Sequence, residues 1–187
     1  AQSYVNGGPT PWGVAFASPS ASTEIVVANT GDMAAADPTH TVSLLRRNGL
    51  GGFGATLSTT VATTTDRVVS VDVNRDGIPG AVMTGADPNG LVWMQGLGDG
   101  TFQNRTTIAS GGGTHTWVGA LDANRDAISD VLFYNPAAAE MRICLGTGSG
   151  FAGPTVAETG YGEPCVIGDL NRDGIPDFVA TSGASFR

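Results

Sequence analysis

Three acidic loops recur with the residue types and spacing of an oxygen cage for a hard cation. They are Asp72-Val-Asn74-Arg-Asp76-Gly77-Ile-Pro-Gly80, Asp122-Ala-Asn124-Arg-Asp126-Ala127-Ile-Ser-Asp130 and Asp169-Leu-Asn171-Arg-Asp173-Gly174-Ile-Pro-Asp177. Oxygen-bearing side chains stand at loop positions 1, 3, 5 and 9, around a turn glycine at position 6. Carboxylate and amide oxygens spaced in this way can surround a divalent cation without help from nitrogen or sulfur. Two members depart from the pattern. Gly80 leaves the first loop one carboxylate short, which predicts weaker binding there. Ala127 replaces the position-6 glycine, where a positive φ costs an alanine about 1 kcal/mol.

Other residues with chemical potential are few. Gly49-Leu-Gly51-Gly-Phe-Gly54 and Gly148-Ser-Gly150-Phe-Ala-Gly153 match Gly-x-Gly-x-x-Gly but lead into strands, so they are expected to be hairpin turns rather than dinucleotide sites. There is no Gly-x-Ser-x-Gly elbow and no His-Glu-x-x-His. His40 and His115 fall in non-equivalent connections without an evident nucleophile or carboxylate partner, which argues against acid–base catalysis. Trp12 and Trp117 each follow a glycine-containing stretch shortly before the first strand of a unit. They are expected either to pack between neighbouring units or to stack on sugar rings, with His115 beside Trp117 as a further ligand candidate. Trp93, inside a strand, is expected in the core. Cys144 and Cys165 are either buried thiols or, in an oxidising compartment, a disulfide tying the third unit to the fourth; their spacing excludes a CxxC site. Asn104-Arg-Thr106 forms a glycosylation sequon.

The loops must be held by something that repeats with them. Their first aspartates, at 72, 122 and 169, lie 50 and 47 residues apart. An apolar strand follows each loop: Ala81-Val-Met-Thr84, Val131-Leu-Phe-Tyr134 and Phe178-Val-Ala-Thr181. A second strand comes next, Leu91-Val-Trp-Met-Gln95 or Met141-Arg-Ile-Cys-Leu145, and then a glycine-rich turn ending in Phe102 or Phe151. Four short strands in about 48 residues is the content of one propeller blade. An earlier unit, Glu24–Asn29, Thr41–Leu45 and a turn to Phe53, keeps the strands but has lost every aspartate of its loop, so it is expected to hold no metal. The expected units run over about 12–66, 67–116, 117–163 and a half unit 164–187, with 1–11 available as a ring-closing strand.

Composition agrees. The 187 residues include 28 Gly and no Lys, a bias toward strands and tight turns. The net charge is −8, and the three loops supply eight of the seventeen acids, so the acidity belongs to the loops. No basic patch offers itself to nucleic acid, and no apolar run approaches the roughly 18 residues of a membrane span. A leaderless start at Ala1 is compatible with export after signal cleavage.

Together these segments resemble the FG-GAP/VCBS repeats of integrin-like β-propellers, over Trp12 to Arg187. The resemblance rests on the three phased loops, on Ile25-Val-Val-Ala-Asn-Thr-Gly-Asp32 and Thr41-Val-Ser-Leu-Leu45, and on Gly98-Asp-Gly-Thr-Phe102. It implies an all-β propeller of four-stranded blades, about three and a half in this chain and part of a seven-bladed ring. It implies Ca2+, two to three ions, with ligands Asp169, Asn171, Asp173, Asp177 and the Ile175 carbonyl. The equivalents are Asp122, Asn124, Asp126, Asp130 and the Ile128 carbonyl, then Asp72, Asn74, Asp76 and the Ile78 carbonyl. Ca2+ is preferred to Mg2+ because an all-protein oxygen cage suits the larger ion. It further implies a secreted recognition scaffold, a lectin-like or adhesion module for glycans or proteins. The alternative is the propeller portion of a secreted carbohydrate-active, hydrolytic or lyase enzyme. A second copy of the chain or a further C-terminal part is expected to complete the ring, since an open arc leaves apolar faces in water.

Overall fold

Four antiparallel sheets follow one another along the chain, each built from strands consecutive in sequence. The computed structural model describes residues 11–17, 24–30, 40–48, 52–54, 56–61, 65–85, 90–103, 105–109, 115–160, 162–182 and 185–186. The first sheet contains β1 (Pro11–Ala17), β2 (Glu24–Asn29), β3 (His40–Leu45) and β4 (Leu57–Val61). The second contains β5 (Thr65–Val71), β6 (Gly80–Gly85), β7 (Gly90–Met94) and β8 (Thr106–Ala109). The third contains β9 (Trp117–Leu121), β10 (Asp130–Asn135), β11 (Glu140–Cys144) and β12 (Thr155–Thr159). The fourth contains β13 (Pro164–Gly168), β14 (Asp177–Ser182) and β15 (Ser185–Phe186). Within every sheet the strands pair in chain order, as up-and-down meanders. The strands expected after the acidic loops coincide with β6, β10 and β14. Among the described residues no helix is long and apolar enough to cross a membrane.

The sheets stack face to face because alternate residues on both faces of the middle sheets are apolar. Val26, Ala28, Val42 and Leu44 of the first sheet meet Val68, Ala81, Met83, Val92, Met94 and Phe102 of the second. On the opposite face of the second sheet, Val71, Val82 and Leu91 meet Val118, Val131, Phe133 and Cys144 of the third. Strands with both faces covered need near-continuous apolar sequence. That need accounts for Ala81-Val-Met and Val131-Leu-Phe, all nearly inaccessible to solvent.

In each of the first three sheets the second strand is almost wholly buried and the fourth is far more exposed. The first strands of successive sheets lie against one another, β1 on β5, β5 on β9 and β9 on β13. Gly13 makes the closest approach possible, since a Cβ there would lie 3.0 Å from the Val68 nitrogen. At the other edge β12 is exposed along its whole length. Sheets that converge on their first strands and splay at their last are arranged as blades are.

The third strand of each of the first three sheets ends in a glycine-rich hairpin closed by a phenylalanine, with bridges Arg47↔Phe53, Gly96↔Phe102 and Gly146↔Phe151. The 148–153 segment is therefore a hairpin turn. Gly49 and Gly51 of the other Gly-x-Gly-x-x-Gly run lie outside the described residues, as do residues 1–10, the sequon residue Asn104 and Arg187.

Candidate functional site

The acidic loops connect the first strand of a sheet to the second, so each is anchored at both ends by a strand ladder. Val71↔Gly80, Leu121↔Asp130 and Gly168↔Asp177 are the pairs that close them.

All three loops fold onto one hydrogen-bond scaffold. The position-1 carboxylate accepts from the position-6 N–H at 2.9 Å in each: Asp72 from Gly77, Asp122 from Ala127, Asp169 from Gly174. The position-5 carboxylate accepts from the position-7 N–H at 2.7 Å: Asp76 from Ile78, Asp126 from Ile128, Asp173 from Ile175. The position-3 amide donates to the position-5 carboxylate, from Asn74 at 2.6 Å, Asn124 at 2.8 Å and Asn171 at 2.9 Å. Its oxygen accepts from the position-5 N–H in all three. Such Asx turns hold the loop without a ligand.

Among the described residues no group of three His, Cys, Asp or Glu side chains is gathered as a metal site. A cation held in these loops would draw on the asparagine amide and the position-7 carbonyl as well as on carboxylates. The donor chemistry fits a hard ion, being oxygen throughout. One atom supports the fit directly: Asp72 Oδ1 is buried and carries no hydrogen bond. A buried carboxylate oxygen without a donor is costly unless something positive meets it.

Position 9 is tied down by the backbone. Asp130 is fully buried; its Oδ2 accepts from the Ala123 N–H and its Oδ1 from the Gly146 N–H, both at 2.8 Å. Asp177 accepts from the Leu170 N–H at 3.0 Å. Gly80 has no such group, and a Cβ there would lie 2.8 Å from the Met94 carbonyl oxygen. The first loop is thus built around the absence of a side chain.

The backbone bears out the expectation for Ala127, whose φ is 63° where Gly77 and Gly174 have 78° and 80°. Position 4 is also left-handed, with Arg75, Arg125 and Arg172 at 59°, 62° and 65°. Nothing in the types of those residues announced it. Ala127→Gly is expected to stabilise the fold by about 1 kcal/mol, checked by urea denaturation.

The loops are also linked to one another. The Asp72 N–H donates to Ser129 Oγ at 3.4 Å, and Arg125 Nη2 donates to the Asp173 carbonyl at 3.0 Å. In the first sheet Glu24 pairs with Ala17 as Asp130 pairs with Leu121, so it occupies position 9 of the loop that lost its aspartates. This buried carboxylate is met by the Arg46 guanidinium at 2.9 Å, which also donates to the Gly98 carbonyl of the second sheet. An internal cation thus faces the position-9 acid of the first unit. The signal was an acid at position 9 with Arg where Gln95 and Leu145 stand.

With this geometry in view, residues 72–133 match the FG-GAP-like repeat family. The chain carries an FG-GAP-like repeat. The match runs from the first aspartate of one loop through the next loop and into β10. The FG-GAP-like repeat thus includes two of the three acidic loops entire. No curated protein gives a match to the chain.

The remaining candidates are scattered. Trp12 is exposed and Trp117 half-buried. His115 is buried, its ring edge-on to Phe133 at 4.8 Å, and neither nitrogen closes a hydrogen bond of good geometry. Burial, with the Arg142 charge second, lowers its pKa, while the Tyr134 backbone opposes the shift. His40 is buried at the start of β3. Trp93 is partly buried against the cluster between the second and third sheets and meets Phe151 edge-on at 5.8 Å. Cys144 is a free, buried thiol whose pKa burial pushes up to about 11. The Cys165 side chain lies outside the described residues.

Proposed function

We propose that this chain is a calcium-stiffened recognition scaffold, a propeller segment of a secreted protein whose loops hold two to three Ca2+ and whose surface binds a protein or glycan. The observation that carries the reading is the oxygen-lined scaffold shared by all three loops over positions 1 to 7, with the Asp72 Oδ1 left buried and undonated. Asp169, Asn171, Asp173, Asp177 and the Ile175 carbonyl would hold one ion. Asp122, Asn124, Asp126, Asp130 and the Ile128 carbonyl would hold a second. Asp72, Asn74, Asp76 and the Ile78 carbonyl would hold the weakest. A bound Ca2+ supplies charge neutralisation and fixes the loop; no chemical step is asked of it.

Calcium at 100 times its Kd is expected to add about 2.7 kcal/mol for each site, which raises Tm by roughly 5–10 °C per site in a chain of this size. Thermal melts in Ca2+ and in EDTA test this, and an unchanged Tm would sink the calcium reading. A glycan array run with and without Ca2+ tests the lectin form of the scaffold; protein capture with no glycan signal would place it among adhesion modules.

A further inference from the structure

The two outermost sheet faces carry apolar residues at positions that are buried or partly buried where a neighbouring sheet is present. Counting back from the residue that pairs with loop position 9, Val14, Val68 and Val118 occupy the same place on β1, β5 and β9. Val68 and Val118 are 6% and 7% exposed because each packs on the preceding sheet. Val14 is 63% exposed, in a stripe along β1 with Trp12 at 65% and Phe16 at 73%. Farther out on that face Val27 and Leu45 are already buried, so the surface open to a partner is the β1 stripe.

The fourth sheet shows the complementary deficit. Val166 on β13 corresponds to Ala15 and Val69, which pack toward the following sheet, yet it is 48% exposed. Leu170, at loop position 2, corresponds to Val73, which is 3% exposed between the second and third sheets; Leu170 is 59% exposed. One chain therefore carries both halves of its own internal interface, one at each end of the stack.

We infer that the chain self-associates head to tail, the β1 stripe of one copy seating against Val166 and Leu170 of a second, and that two copies close a ring of eight sheets. The inference rests on the propeller reading above. Two identical heterologous contacts close a dimer when the rotation of the stack allows it, and eight blades lie within the propeller range.

The test is sedimentation equilibrium of the full chain with two single-face variants. The native chain is expected at twice 18.9 kDa. Val14→Glu and Leu170→Lys each place a charge in both contacts of the ring. A tenfold loss at each contact weakens self-association roughly a hundredfold. Mixing the two variants leaves one contact intact and sets opposite charges against each other in the second, so a heterodimer should reappear from two monomeric preparations. That recovery also demonstrates that both variants fold. A monomeric native chain, an open polymer, a dimer unmoved by either variant, or no recovery on mixing would each overturn the inference. Calcium-dependent melting of the monomeric variants reads the loops separately, so loss of association and loss of metal binding remain distinguishable.

Discussion

Asp130→Ala is expected to lower stability by about 3 kcal/mol even in EDTA, and by more in calcium, where an ion ligand is lost as well. The side chain is fully buried, and each carboxylate oxygen accepts one backbone N–H at 2.8 Å, from Ala123 within the loop and from Gly146 in the hairpin after β11. Truncation leaves both donors unpaired in the protein interior. Hydrogen bonds to a charged group contribute about 1.5–3 kcal/mol each, and an orphaned buried donor loses its full desolvation cost. Asp177 offers the internal comparison. Among the described residues it accepts from the Leu170 N–H alone and it is less buried, so Asp177→Ala should cost about 1 kcal/mol in EDTA. Urea denaturation of both variants, with and without calcium, checks the ordering. A cost at Asp130 that vanished in EDTA would mean the carboxylate acts only through a bound ion.

The contrast shows what the sequence could and could not convey. Loop phasing located the strands, because repeating Asp-x-Asn-x-Asp before an apolar run fixes where each second strand begins; β6, β10 and β14 start there. The strain at Ala127 was legible for the same reason, since two of three copies hold glycine at that position. The left-handed arginines at position 4 were not, because all three copies agree and no departure marks them. Nor was the role of position 9. Sequence treats Asp130 as one more oxygen for the ion, whereas the hairpin that supplies its second donor lies sixteen residues away along the chain. The pairing of Glu24 with Arg46 was hidden by the same kind of separation. What a short pattern encodes is local geometry; what it omits is which backbone groups arrive from elsewhere.

Gly96→Ala is expected to destabilise the fold by about 3 kcal/mol and to weaken calcium binding at the first loop. Gly96 begins the hairpin after β7, and a Cβ there would run into the Pro79 carbonyl oxygen, the last residue of the loop before Gly80. The obstacle is backbone, which cannot rotate away as a side chain can. Relief must move either the hairpin, whose Phe102 is buried in the core between the first and second sheets, or the loop itself. Moving the hairpin opens a packed interface at the cost typical of overpacking. Moving the loop shifts Ile78, whose carbonyl is assigned to the ion. Gly146 holds the same place in the third sheet, where a Cβ would lie 2.6 Å from the Ser129 carbonyl oxygen, so Gly146→Ala should behave alike. Gly153→Ala is the control, because a Cβ there meets nothing within 4 Å and should leave stability nearly unchanged. Melting curves and calcium titrations of the three variants decide the matter. If Gly96→Ala melted with the Gly153→Ala control, the hairpin would not buttress the loop, and the position of Pro79 would have to be set by the strands alone.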